Sequence, residues 1–315
     1  MRLPDALRPP RPAGVLRVRS DDGTLLHAEV HGPEDAPTVV LSHGWACSTL
    51  FWTPVLRALG ADLRVVLYDQ RGHGRSEVPR RGGYGTTALA DDLCAVLRAT
   101  VARGTRAVVA GHSMGGMAVM AAAERPAFRS RTAAVLLAST GSRDLVSSAL
   151  VLGGPLRRPA RLRAALRRSA LTVPLPLGPV TPLTRAGLRR VVMAADTPAD
   201  TVDLCARIVH ACRPVPRARW GAVLRDLDLT GPLRRLDVPA RVLAGTADRL
   251  TPPLHAHRLA EALPACEDLV LLPGIGHMTP LEAPDRVAAV LRDLVRAHLA
   301  PGAAEGAAAA PGRAG

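Results

Sequence analysis

Five short apolar runs recur along the chain, each ending in small or polar residues: 38–44 (TVVLSHG), 63–69 (LRVVLYD), 106–113 (RAVVAGHS), 133–140 (AAVLLAST) and 240–246 (ARVLAGT). Continuous runs of this length suit strands buried on both faces, as in a parallel sheet covered by helices. Helical spacing lies between them, as at Leu89, Leu93, Val96 and Leu97 and again over 114–126 (MGGMAVMAAAERP). Two alternating stretches, 15–20 (VLRVRS) and 25–32 (LLHAEVHG), predict an antiparallel opening pair, and 268–277 (DLVLLPGIGH) adds a last strand. The expected fold class is α/β, with a doubly wound, mostly parallel sheet.

One stretch breaks this rhythm. From about Arg143 to Asp228 there is no strong strand, Leu, Arg and Pro dominate, and no acidic residue occurs between Asp144 and Asp196. It reads as a helical cap inserted over the carboxyl edge of the sheet. The expected division is a flexible leader (1–14), a first core segment (15–142), the cap (143–228), a second core segment (229–300) and a disordered low-complexity tail (301–315).

The formal charge of +14 suggests nucleic acid, but two observations argue otherwise. All 41 Lys-or-Arg positions are Arg and Asn is absent, the pattern of a GC-rich codon bias. Aromatic residues that could stack on bases make up only 2% of the chain. No nucleic-acid partner is expected. The cap's arginines leave contact with an anionic head group or lipid surface open. Five scattered cysteines without a C-x-x-C pair suit a reducing compartment. The opening MRLPDALRPPRPAG has no apolar segment of the kind a secretory signal needs, so a cytoplasmic location is expected.

The third run continues into Gly111-His112-Ser113-Met114-Gly115. Glycines flanking a serine between a buried strand and a helix form the pattern of a nucleophile elbow, where the chain reverses too tightly for larger side chains. Further along, LAGTADRLTP places Asp248 just past one strand, and LLPGIGHMTP places His277 in a glycine-rich loop past the next. Together with SHGW at 42–45, YDQRGHGRS at 68–76 and the Ser–Asp–His order, these motifs resemble the α/β-hydrolase superfamily, in its capped branch, over roughly residues 15–300.

The resemblance implies a triad. Ser113 is the nucleophile, His277 the base that activates it, and Asp248 the carboxylate that orients the imidazole. Asp144, after the preceding strand, is the rival acid. The oxyanion donors implied are the backbone N–H groups of Trp45 and Met114, the latter at a helix N-terminus. His43 is expected to order the oxyanion loop. Asp69, Arg71, Gly72, His73 and Gly74 are expected to brace a neighbouring loop, and Asp91 and Asp92 to face solvent. Trp45, Phe51 and Met278 are candidates to wall an apolar substrate pocket, although packing under the cap accounts equally well for Phe51 and Trp52.

Serine at position 113 argues against epoxide hydrolases and dehalogenases of this superfamily, which use an aspartate nucleophile. The implied activity is hydrolysis of a small apolar carboxylic ester through an acyl-enzyme, with no cofactor and no metal. Perhydrolase, haloperoxidase or thioesterase chemistry on the same triad is the alternative, and a non-catalytic binder is a remote one. The cap is expected to set acyl preference. A capless chain is expected to keep Ser113 reactive, because the triad lies on the sheet's own loops.

Overall fold

The computed structural model describes residues 5–80, 82–149 and 171–299. Eight strands form one sheet in the order β1-β2-β4-β3-β5-β6-β7-β8. They are β1 (Gly14–Arg19), β2 (Leu25–His31), β3 (Thr38–Ser42), β4 (Arg64–Tyr68), β5 (Ala107–His112), β6 (Thr132–Ala138), β7 (Ala240–Gly245) and β8 (Cys266–Leu272). β1 pairs antiparallel with β2, and β2 antiparallel with β4; every other pairing is parallel. The continuous apolar runs occupy the middle of the sheet, and every residue of β5 and β6 is buried.

Helices cover both faces. On one face α2 (Thr86–Thr100) packs beside α3 (Met114–Ala121), and α10 (Pro253–Ala262) lies on β7 and β8. On the other, α1 (Thr53–Leu59) packs on α12 (Pro284–Leu299). The apolar stripe of α12, Val287, Leu291 and Leu294, recurs at helical spacing and is fully buried. A short α4 (Pro126–Arg131) leads into β6, and α11 (Thr279–Glu282) precedes α12.

Between β6 and β7 the described residues contain no strand. They form α5 (Leu145–Ser148), α6 (Pro182–Val192), α7 (Ala199–His210), α8 (Pro214–Arg225) and α9 (Thr230–Leu233). Part of the expected cap, 150–170, lies outside the described residues, as does the expected tail at 301–315. The described part of the leader makes contacts with the core. Asp5–Leu7 form a short 3-10 helix, Arg57 Nε donates to the Arg8 carbonyl at 3.0 Å, and Ala13 N donates to Val30 O at 2.8 Å. From Asp5 onward the segment is thus held against α1 and β2. No described helix is long and apolar enough to cross a membrane.

Candidate active site

Ser113 sits where β5 turns into α3. Its backbone is in a left-handed conformation, φ 52° and ψ −117°, which costs a non-glycine residue about 1–3 kcal/mol. The turn is tight enough to exclude side chains on both flanks. A Cβ on Gly111 would lie 2.3 Å from the Gly115 backbone, and one on Gly115 would lie 2.1 Å from the Ser42 carbonyl. Strain held this way lifts the serine out of the strand and onto the wall of a cavity.

His277 follows β8 and Asp248 follows β7, so adjacent parallel strands deliver base and acid to the same edge. His277 Nδ1 donates to Asp248 Oδ2 at 2.8 Å, which leaves Nε2 with its lone pair. Asp248 is fully engaged. Oδ1 accepts from Leu250 N at 2.8 Å and Thr251 N at 2.9 Å, and Oδ2 also accepts from the Thr251 hydroxyl at 2.8 Å. Both side chains are buried. Asp144, the rival acid, is exposed and lies beside Arg143.

The candidate oxyanion donors meet at the same place. A Cβ on Gly44 would fall 3.2 Å from Ser113 Cβ, so the loop carrying Trp45 lies against the elbow. No described residue accepts a hydrogen bond from the backbone N–H of Trp45 or Met114. The loop is fixed from behind. His43 Nδ1 donates to Gly44 O at 2.8 Å, and its Nε2 accepts from Gln70 N at 3.0 Å. His73 Nε2 accepts from Ala46 N at 3.1 Å, and Asp69 accepts from Thr49 N at 2.7 Å and Arg75 N at 2.9 Å. Burial pulls the His43 imidazole down to about 4 and, aided by His43, the His73 imidazole to about 3. Both are therefore neutral struts near pH 7.

A cavity of about 590 Å³ opens on Ser113 and His277. Its walls are mainly apolar, with Trp45, Met117, Leu145, Leu188, Val191 and Met278 among them. Phe51, expected on this wall, is not there. It is fully buried behind His112, with ring centroids 4.6 Å apart. The packing role is the one it fills, in a buried cluster with Val39, Leu41, Val108 and Ala110 of the sheet. His112, adjacent to the nucleophile, donates from Nε2 to the His277 carbonyl at 2.8 Å, and burial holds it well below its usual pKa. Among the described residues no group of His, Cys, Asp or Glu is arranged to hold a metal ion.

A model of the Alpha/beta hydrolase family matches residues 39–290. The chain belongs to that family. A protein of Variovorax paradoxus named "Putative carbamate hydrolase RutD" is 35% identical over 262 residues, spanning 80% of this chain and 89% of its own. A non-heme chloroperoxidase of Streptomyces lividans is 32% identical, spanning 80% of this chain and 87% of its own. The solved structure of a thermophilic esterase from Thermogutta terrifontis superposes with a TM-score of 0.70 at 25% identity, covering 90% of this chain and 98% of that one. These relatives make the chain an enzyme of the α/β-hydrolase fold.

The enzyme's inserted helices are bonded directly to its candidate machinery. At the end of α6 the Val192 carbonyl accepts from His277 N at 3.0 Å and Met278 N at 3.3 Å. Trp45 Nε1 donates to Arg217 O in α8 at 2.9 Å. Glu282 joins the two sides: it accepts from Ala194 N at 2.7 Å and Thr197 Oγ1 at 2.9 Å, and from Gly276 N at 3.2 Å and Met278 N at 3.0 Å. The candidate triad lies on the sheet's own loops, and the inserted helices hydrogen-bond to those loops from the other side. The bracing loop brings a correction. Asp92, expected on a solvated face, is buried and forms a two-pronged pair with Arg71 at 2.5 and 2.7 Å, whereas Asp91 is half-buried and pairs with Arg125.

Proposed function

We propose that the enzyme cleaves a small apolar carboxylic ester through an acyl-enzyme on Ser113. The observation that carries this reading is a strained serine and an Asp248-paired His277 on the wall of one apolar cavity. His277 Nε2 takes the hydroxyl proton as Ser113 Oγ attacks the carbonyl carbon. The resulting oxyanion receives the N–H groups of Trp45 and Met114, preset and aimed from a loop and a helix N-terminus. Asp248 stabilises the imidazolium, which then protonates the departing alkoxide. Water, deprotonated by His277, attacks the acyl-enzyme and restores the serine. The sequence needs neither cofactor nor metal.

The test combines a fluorophosphonate probe with p-nitrophenyl esters of increasing acyl length. Labelling is expected at Ser113, and Ser113→Ala is expected to lose about a thousandfold to a millionfold in turnover while remaining folded. Each buried methylene contributes about 0.8 kcal/mol, so kcat/KM should rise with acyl length and fall once the cavity is full. Near-wild-type turnover in the folded alanine variant would sink the reading. A second reading, perhydrolysis, draws support from the chloroperoxidase relative: hydrogen peroxide in place of water would release a peracid from the same intermediate. Peracid formation from a carboxylic acid and peroxide, measured alongside ester hydrolysis, separates the two.

A further inference from the structure

Helix α6 has two working faces. Thr184, Gly187, Leu188 and Val191 line the catalytic cavity, while Arg185, Ala186, Arg189 and Arg190 line a separate cleft of about 430 Å³ on the other side. Arg249 completes that cleft from the loop that carries Asp248. Of the four arginines only Arg185 is neutralised, by Asp203 at 2.6 and 2.8 Å. Arg189, Arg190 and Arg249 have no carboxylate partner among the described residues. Two of them are nonetheless held in place. Arg249 Nη1 donates to Arg190 O at 2.8 Å, and Arg189 Nη1 reaches Ala195 O at 3.5 Å. The sequence places no acid from 145 to 195 that could neutralise them. Asp196 and Asp200, next in sequence, neither line the cleft nor pair with these guanidiniums.

Three uncompensated like charges facing one cavity repel one another, and an anion between them removes that repulsion. The guanidinium fork matches phosphate oxygens two at a time, which a lysine cannot do. The cleft's volume falls within the range of roughly 300–1,000 Å³ usual for small-molecule sites. We infer that this cleft binds a phosphoryl anion, held by Arg189, Arg190 and Arg249 at the seam between α6 and the Asp248 loop. Such an anion ties together the two elements that fix the candidate base and acid: α6 holds His277 through the Val192 carbonyl, and Arg249 adjoins Asp248. The binding itself does not depend on the ester reading.

Calorimetric titration of the full chain with pyrophosphate at low ionic strength tests the site. Saturable binding is expected, along with a thermal midpoint that rises with pyrophosphate. Each lost guanidinium is expected to weaken binding about tenfold or more, so the double variant Arg189→Ala/Arg249→Ala should lose about a hundredfold. Arg296→Ala, remote from the cleft, should lose nothing. If the alanine pair does not fold, Arg189→Lys/Arg249→Lys decides, since it keeps the charge and removes the fork; a weakened affinity is expected. Sedimentation with phosphatidylglycerol vesicles, against phosphatidylcholine, distinguishes the sources of the phosphoryl group. Vesicle binding displaced by pyrophosphate assigns a lipid head group, and pyrophosphate binding without vesicle binding assigns a soluble phosphate. Absence of saturable binding, or wild-type affinity in the arginine variants, overturns the proposal. Vesicle binding indifferent to those variants does so too, as attraction to the overall charge of +14.

Discussion

Every lone pair that Asp248 presents to the described residues has a donor, and only one of those donors, His277, can take up a proton. The two backbone amides and the Thr251 hydroxyl hold the carboxylate in place, so the imidazole is the group it orients. Asp248→Asn keeps the shape but turns an N–H toward His277 Nδ1, which forces the ring into the wrong tautomer. A loss of about ten-thousandfold in kcat is expected. Asp144→Asn, at an exposed position paired with Arg143, should leave kcat unchanged. Stopped ester assays on the two purified variants check this, and the opposite ranking would move the acid to Asp144. The candidate serine, acid and base could be picked out of the sequence because each follows a strand in a loop of small and polar residues. Thr251 was missed, although a hydroxyl three residues after a loop aspartate is a local capping signal. Asp92 was also within reach of the sequence. It lies between Leu89 and Val96 on the stripe that reads as buried, and an acid on such a stripe calls for an arginine partner.

At the level of elements, the buried parallel strands and the helices between them follow from the length and periodicity of apolar runs. The bonds joining the inserted helices to the active-site loops do not. Apart from those to Glu282, they end on the carbonyls of Val192, Arg217 and, from Trp220 Nε1 at 3.0 Å, Arg71. A backbone carbonyl is the same group in every residue, so no composition or spacing announces it. Replacing residues 143–228 with a short linker strips His277 N of its acceptor, Met278 N of one of its two, Trp45 Nε1 of its own, and Glu282 of two of its four donors. The capless protein is expected to label with the fluorophosphonate far more slowly than wild type, even if circular dichroism shows it folded. Glu282→Ala is the single-residue version. It leaves the Gly276 and Ala194 amides without their acceptor and Met278 N with only Val192 O, at about 1–3 kcal/mol for each amide left unpaired and buried. kcat should fall with little change in KM, because the base moves while the cavity wall remains. Wild-type labelling by a folded capless chain would return the triad to the sheet alone.

Across the whole molecule, one buried cation gathers segments that are far apart in the chain. The Arg71 side chain is 1% exposed. It pairs with Asp92 in α2 and Asp22 in the β1–β2 turn, and donates to Ser20 Oγ at 3.2 Å and Gly83 O at 2.8 Å. Its own carbonyl accepts from Trp220 in α8, and a Cβ on the next residue, Gly72, would fall 2.8 Å from Pro216. The edge strands, a core helix, the loop behind the oxyanion donors and α8 therefore share one anchor. Removing one partner of a buried pair strands the other charge, which costs about 3–5 kcal/mol. Asp92→Leu is expected to destabilise by that amount, lowering the denaturant midpoint with little change in slope. Asp22→Asn should cost much less, because Asp22 is 44% exposed and water takes up part of its work. The Arg71→Met/Asp92→Leu double variant removes both charges, and an apolar replacement of a buried pair is often neutral or stabilising. It is expected to recover most of the loss from Asp92→Leu, a coupling well outside the additivity expected of independent sites. What it does not restore are the Ser20, Asp22 and Gly83 contacts, so turnover should stay below wild type even where stability returns. Urea unfolding of the wild type, Arg71→Met, Asp92→Leu, Asp22→Asn and the double variant, followed by ester kinetics on each, reads both quantities. Additive losses, or full activity in the double variant, would reduce Arg71 to a local brace of its own loop.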